Sequence, residues 1–188
     1  MKPHEARSVA DLMNALGEGH EAKYLCFWGH TPKDENVVDK SCLSNWFPAA
    51  FEIDGIHYPT TEHYMMGGKA RLFEDDEILA EILAADSPHA AKKLGRAVRN
   101  FDGTRWNEHR LEIVVEGNVA KFSQNEDLKE FLLGTGEQVL VEASPRDRIW
   151  GIGMGASNPN AEDPAHWRGG NLLGFALMEA RARILVDS

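Results

Sequence analysis

Apolar residues recur at helical spacing through Val9, Leu12, Met13 and Leu16, with Ser8 before them and Gly17 after. This pattern predicts a short, peripheral helix with a serine cap and a glycine stop. YLCFW, residues 24–28, is an unbroken apolar run of strand length and predicts a buried strand, whereas the polar, turn-rich 29–42 predicts an exposed loop. AFEIDGIHYP, residues 50–59, alternates about Asp54-Gly55, a pair that tolerates the positive φ of a tight hairpin, so two short strands are expected there. Pro59 ends the second strand, and Thr60 or Thr61 stands where a hydroxyl caps a helix beginning near Glu62.

Helical periodicity returns in residues 75–85, from Ser87-Pro88 to about Val98, from about Thr104 to Phe122, and from Asn125 to Leu133 with Gly134 as a stop. QVLVEAS, 138–144, reads as a buried strand leading into a long loop rich in glycine, proline and asparagine, and such loops are usually functional or disordered. NLLGFALMEARARIL, 171–185, is apolar around most of its circumference, the pattern of a helix enclosed by protein.

At 188 residues the chain suits one core. Lysine and arginine number 20 against 30 aspartates and glutamates, a formal charge of −10, so no general nucleic-acid binding is expected, although a pocket for one phosphate is compatible. Cys26 and Cys42 form neither a CxxC pair nor a zinc pattern, which fits a reduced, cytoplasmic setting. No apolar run reaches the roughly 20 residues of a membrane span, and the first residues lack an apolar signal core. The expectation is a soluble, unprocessed protein that contacts no membrane.

The long helix predicted over 104–122 has two apolar sides. Leu111, Val114, Val115, Val119 and Phe122 form one, while Trp106, Arg110, Ile113 and Gly117 fall nearly opposite and must cover another helix or a pocket. On the helix opening at Glu62, the side chains of Glu62, Met66 and Lys69 share a face. Gly67 and Gly68 each cost about 1 kcal/mol relative to alanine there, which the close approach of a neighbour or ligand would offset. Glu62 is then either a carboxylate doing chemistry or a first-turn acid favoured by the helix dipole. Asp147, in SPRDRIWG, is either a site acid or a turn residue or ion pair. The glycines after Trp150, from Gly151 onward in GIGMG, leave main-chain N–H groups free to approach a ligand. No HxH, HExxH, GxxxxGK[ST] or GxSxG occurs, and GIGMG lacks the strand and helix of a dinucleotide site, so metal, nucleotide-triphosphate and serine-hydrolase chemistry have no motif.

The order LSNWFPAAFEIDGIHYPTTEHYM, AAKKLGR, RW before a helix ending AKF, DRIWGIG and WRGGNLLGFALMEARARI resembles the NADAR family, the YbiA-like N-glycosidases, from about Tyr24 to Leu185. The resemblance implies an α+β fold, a single compact, helix-rich domain with small β-sheet elements, and divides the chain into an N-terminal extension with a short helix, 1–23, and a NADAR domain, 24–188. It implies hydrolysis of the C–N glycosidic bond of phosphorylated ribosylamino-pyrimidine intermediates of riboflavin biosynthesis, releasing ribose 5-phosphate. Other branches imply ADP-ribose or ADP-ribosylated guanine as ligand, and a non-catalytic ADP-ribose- or nucleotide-binding module is the rival from another class. The family's motif glutamate corresponds to Glu62, its loop acid to Asp147 and its tryptophans to Trp106 and Trp150. Relatives often read WGDG where Ile152 stands here, so an assisting acid is absent, and Ala156–His166 looks longer than in short relatives.

Opening a ribosyl C–N bond places positive charge on the sugar, which a carboxylate beneath the anomeric carbon stabilises while it orients the attacking water. Glu62 and Asp147 are the catalytic candidates, Trp106 or Trp150 would stack the leaving base, and Lys69, Arg96 or the N–H groups beginning at Gly151 would hold a phosphate. Asn45 and Asn171 are polar orienters, with Asn171 equally a simple helix cap. The partner is a small phosphorylated ribosyl molecule, and the scheme calls for no metal and no cofactor.

Overall fold

The computed structural model describes residues 1–187. Seven α-helices and four short strands make up the described chain. They are α1 (Val9–Gly17), β1 (Tyr24–Phe27), β2 (Phe51–Ile53), β3 (Ile56–Tyr58), α2 (Thr61–Leu72), α3 (Asp76–Ala84), α4 (Pro88–Gly95), α5 (Gly103–Ser123), α6 (Glu126–Gly134), β4 (Val139–Glu142) and α7 (Leu172–Val186). The architecture is compact α+β.

Local chemistry sets the boundaries. Ser8, Thr60, Asp75, Ser87 and Asp102 each accept a first-turn N–H through the side chain and thereby start α1, α2, α3, α4 and α5. Asp54 at φ 53 and Gly55 at φ 76 supply the two positive dihedrals that close the β2–β3 hairpin, as the Asp-Gly pair predicts. Two predicted extents shorten. β1 stops at Phe27, leaving Trp28 64% exposed. α4 stops at Gly95 rather than near Val98, because Arg96 and Ala97 donate to the carbonyls three residues back and tighten the end.

β1 and β4 pair in parallel, Tyr24 opposite Val139 and Phe27 opposite Glu142. The other side of β4 is met by a side chain: Asn171 accepts from the Glu142 N–H at 2.9 Å and donates to the Leu140 carbonyl at 2.9 Å. Asn171 adopts the left-handed conformation at φ 52 and begins α7 without capping it through its side chain. Gly174, a turn later, lies so close to β4 that a Cβ would stand 2.0 Å from the Leu140 oxygen. α7 is buried along most of its length, as its all-round apolar pattern predicts.

Helix α5 lies between α7 and α2, so both of its apolar sides are covered. Its second side explains one of the two glycines of α2. A Cβ on Gly68 would stand 2.6 Å from Ile113 Cγ2, and one on Gly117 would stand 2.7 Å from the Tyr64 ring. Gly67 has only ordinary contacts, the nearest at 3.5 Å. Leu12 and Ala6, in the first 23 residues, are fully buried in the same core as Phe122, Leu140 and Phe175.

Gly68→Ala is therefore expected to destabilise the fold by about 1–3 kcal/mol through overpacking. Gly67→Ala is expected to stabilise it by up to about 1 kcal/mol through helix propensity. Urea unfolding of both variants checks the contrast, and in an Ile113→Ala background the extra penalty at position 68 should vanish.

Candidate active site

Helix α2 carries Glu62 as its second residue, and the main-chain N–H of Glu62, one of the unpaired first-turn donors, goes to the Asn45 carbonyl at 3.0 Å. That bond fixes the 42–46 segment against the helix start. The segment is held from its far side by Lys121 of α5, whose ammonium is fully buried and donates to the Cys42 carbonyl at 2.6 Å and the Ser44 carbonyl at 3.0 Å. Asn118, one turn earlier on α5, donates to Asn45 Oδ1 at 3.4 Å. Trp46 is thus presented to Glu62, and its indole N–H donates to the Glu62 carboxylate.

These groups wall a cavity of about 210 Å³. Glu62, Glu142 and Asp147 supply its acids, Trp46, Trp106 and Trp150 its aromatic surfaces, and Lys69, Lys92 and Arg96 its cations. Met65, Met66 and Leu173 add apolar wall. Lys69 Nζ sits 4.5 Å from the centre of the Phe101 ring and 5.9 Å from that of Trp106, while Lys92 Nζ lies 5.8 Å from Trp46. Among the described residues no group of three or more histidine, cysteine, aspartate or glutamate side chains is placed to hold a metal ion.

Glu62 is 3% exposed, and burial raises its carboxyl to about 7. The Lys92 charge opposes that rise, Asp147 adds to it, and the Trp46 hydrogen bond lowers it again. Glu142 closes β4 and is raised further, to about 8, by burial first and then by the charges of Asp147 and Glu62, with Lys92 opposing least. Its Oε2 is buried and has no hydrogen-bond partner among the described residues. Burial lowers Lys69, with Arg96 adding to the effect, and burial brings Lys121 down to about 7.

The structure brings Glu62, Asp147, Asn45, Lys69, Arg96, Trp106 and Trp150 to one cavity. Asp147 also shapes its own loop: its Oδ1 accepts from the N–H groups of Ile149 and Trp150, each at 2.8 Å. Gly151 and Asn171 lie outside the lining. A Cβ on Gly151 would stand 2.9 Å from the Glu142 carbonyl oxygen, and Asn171 spends both side-chain atoms on β4. The run after Trp150 does not offer the expected row of free N–H groups, because Ile152 donates to the Glu142 carbonyl at 2.9 Å and Gly153 to the Asp147 carbonyl at 3.0 Å. Ile152 itself is fully buried in the hydrophobic core, so an acid at that position would not line this cavity. His63 also turns away: its Nδ1 accepts from the Thr60 hydroxyl at 2.7 Å and its Nε2 donates to the Ala85 carbonyl at 2.9 Å.

Sequence reasoning missed Glu142, Trp46 and Lys92. Glu142 did leave a signal, as the one charged residue ending an apolar strand just before the functional loop. Trp46 and Lys92 stand within the LSNWFPAAF and AAKKLGR stretches of the family resemblance, but an aromatic in a loop and a lysine on an amphipathic helix are ordinary in isolation.

Fold and cavity together define a small, helix-rich α+β protein built around a pocket of acids, indoles and cations. The chain belongs to the NADAR family, whose model, the NADAR domain, matches residues 26–185. It is 43% identical over 164 residues to N-glycosidase R617 of Acanthamoeba polyphaga mimivirus, covering 85% of this chain and 95% of that protein. It is 30% identical over 149 residues to N-glycosidase YbiA of Escherichia coli (strain K12), covering 79% and 84%. The NMR structure of the E. coli protein YbiA superposes with a TM-score of 0.69 at 28% identity, covering 89% of this chain and 88% of that one.

The raised carboxyls link stability to pH. The folded protein keeps protons on Glu62 and Glu142 up to about 7 and 8, whereas the unfolded chain releases them near the ordinary glutamate value of 4.5. Their contribution is full below that lower value and is lost as pH rises through 7 to 8. Glu62→Gln and Glu142→Gln should each raise Tm at pH 8.5 by about 3 °C or more and narrow the gap in Tm between pH 5 and pH 8.5. Thermal melts across that range read both effects.

Proposed function

We propose that the protein is an N-glycosidase that hydrolyses the C–N bond of a phosphorylated ribosylamino pyrimidine, of the kind formed early in riboflavin synthesis, and releases ribose 5-phosphate. The observation that carries this reading is the buried Glu62 carboxylate, beside the Trp46 indole on a helix start fixed by the Asn45 carbonyl, in a cavity with indoles and cations. Relatives over most of the chain carry the name N-glycosidase.

In this reading Glu62 acts as the ionised group. It steadies the oxocarbenium-like sugar as the bond to nitrogen opens and takes a proton from the attacking water. Lys92 and the Trp46 indole favour its ionised form and fix its direction. Lys69 and Arg96 hold the sugar phosphate, and the departing ring stacks on Trp106 or Trp150. Asp147 positions Trp150 through its loop bonds and keeps a second negative charge near the sugar.

A second reading, hydrolysis of an ADP-ribosyl bond such as that on ADP-ribosylated guanine, draws on one observation. An outer groove of about 910 Å³ adjoins the cavity through Trp46, Lys92, Glu142 and Asp147 and is lined further by Trp28, Arg146 and Arg148. An exposed indole with two arginines suits a second ring and additional phosphates.

Glu62→Gln is expected to lower kcat for ribose 5-phosphate release by about 10²–10⁴ with the fold intact, the range for a positioned acid–base group. Unchanged turnover would remove Glu62 from the reaction. Comparing kcat/KM on the ribosylamino pyrimidine phosphate and on ADP-ribosylated guanine separates the two readings. Under the second, replacing Arg146 and Arg148 by glutamate lowers kcat/KM for the longer substrate by about tenfold or more, as lost charge-assisted bonds would.

A further inference from the structure

Glu142 is a part-buried residue with a buried carboxyl oxygen that the fold does not use. Its backbone is fully engaged, with the N–H given to Asn171 and the carbonyl accepting from Ile152, yet its Oε2 has no hydrogen-bond partner among the described residues. The side chain lines the same cavity as Glu62 but is delivered by a different element: Glu62 comes from the start of α2 and Glu142 from the end of β4. A buried carboxyl oxygen without a partner is costly to keep unless a bound molecule completes it.

Resting on the N-glycosidase reading, we propose that Glu142 is the general acid of the reaction, donating its proton to the nitrogen that leaves the sugar. The step balances. The C1′–N bond breaks with its electron pair passing to nitrogen, and the Glu142 carboxyl proton goes to that nitrogen. Water forms the new C1′–O bond and gives a proton to the Glu62 carboxylate. Passage of that proton to Glu142 through cavity water restores both groups, and the net change is water added across one C–N bond.

The charged groups around the pair divide the labour. Lys92 of α4 and the Trp46 indole of the 42–46 segment favour the ionised form at Glu62, whereas Glu142 faces Asp147 and Glu62 with Lys92 as its weakest influence. Lys69 of α2 and Arg96 at the end of α4 complete the ionisable lining. One proton shared by the two acids therefore resides on Glu142, the arrangement needed for an acid opposite a base. Burial and neighbours hold Glu142 protonated to about 8, so proton donation is available at neutral pH.

The test compares two leaving groups in wild type, Glu142→Gln, Glu142→Asp and Glu62→Gln, all confirmed folded by circular dichroism. One substrate is the 5-phosphoribosylamino pyrimidine, whose nitrogen needs a proton to depart. The other is a ribose 5-phosphate glycoside of 4-nitrophenol, which departs as a stable anion. Glu142→Gln should lose at least about 100-fold in kcat on the first and less than about tenfold on the second. Glu62→Gln should lose heavily on both. The wild-type kcat on the amine should fall above about pH 8, a limb absent in Glu142→Gln, and Glu142→Asp should recover part of the lost rate. Equal losses on both substrates, or full activity of Glu142→Gln on the amine, would overturn the assignment while leaving the N-glycosidase reading in place. Wild type that cleaves neither substrate would sink that reading and the assignment with it.

Discussion

The contact between α2 and α5 is the constraint on which the site depends. Two glycines, Gly68 on one helix and Gly117 on the other, let Ile113 and Tyr64 pack where a Cβ would otherwise collide. At that separation Glu62 and Lys69 of α2 and Trp106 of α5 face one hollow. The same helix α5 then reaches past the hollow with Lys121 and Asn118 to hold the segment that carries Asn45 and Trp46. One close helix pair thus sets much of the cavity, while α4 adds Lys92 and, at its end, Arg96, α7 adds Leu173, and β4 and its following loop supply Glu142, Asp147 and Trp150.

The cavity concentrates charge in a way that opposes stability. Two carboxyls are raised by burial, and a lysine outside the cavity is brought down by it, so each would be more comfortable in water. Folding accommodates them because the surrounding core is continuous from the first helix to the last. What the arrangement gains is difference: neighbouring acids in one cavity, one beside a cation and an indole donor, the other beside acids. Separation of that kind lets similar side chains take unlike roles.

Much of this was legible from the residue order, and the limits have physical causes. Caps at Ser8, Thr60 and Ser87, the Asp54-Gly55 turn and the two-sided pattern of α5 are local or periodic signals, and each corresponds to an observed element. The parallel pairing of β1 with β4 was not legible, since it joins strands more than a hundred residues apart through alternation that says nothing of partners. Asn171 and Gly151 illustrate the same limit at the site. Polar and small residues near a functional loop look alike whether they face a ligand or a neighbouring strand, and only tertiary contacts separate the cases. The signal Glu142 left was ambiguous for the converse reason: a glutamate ending an apolar strand also reads as an exit to solvent, but the chain folds back over it through Ile152.

Asn171 carries a further consequence. A sheet of two parallel strands presents open main-chain groups on its outer flank, and such flanks recruit strands from other molecules. Here one amide side chain satisfies both the Leu140 carbonyl and the Glu142 N–H on that flank of β4, with α7 following at once to cover it. The flank on which a foreign strand could add is thus closed at the very strand that delivers an acid to the cavity, so Asn171 both blunts an edge and fixes the backbone of Glu142.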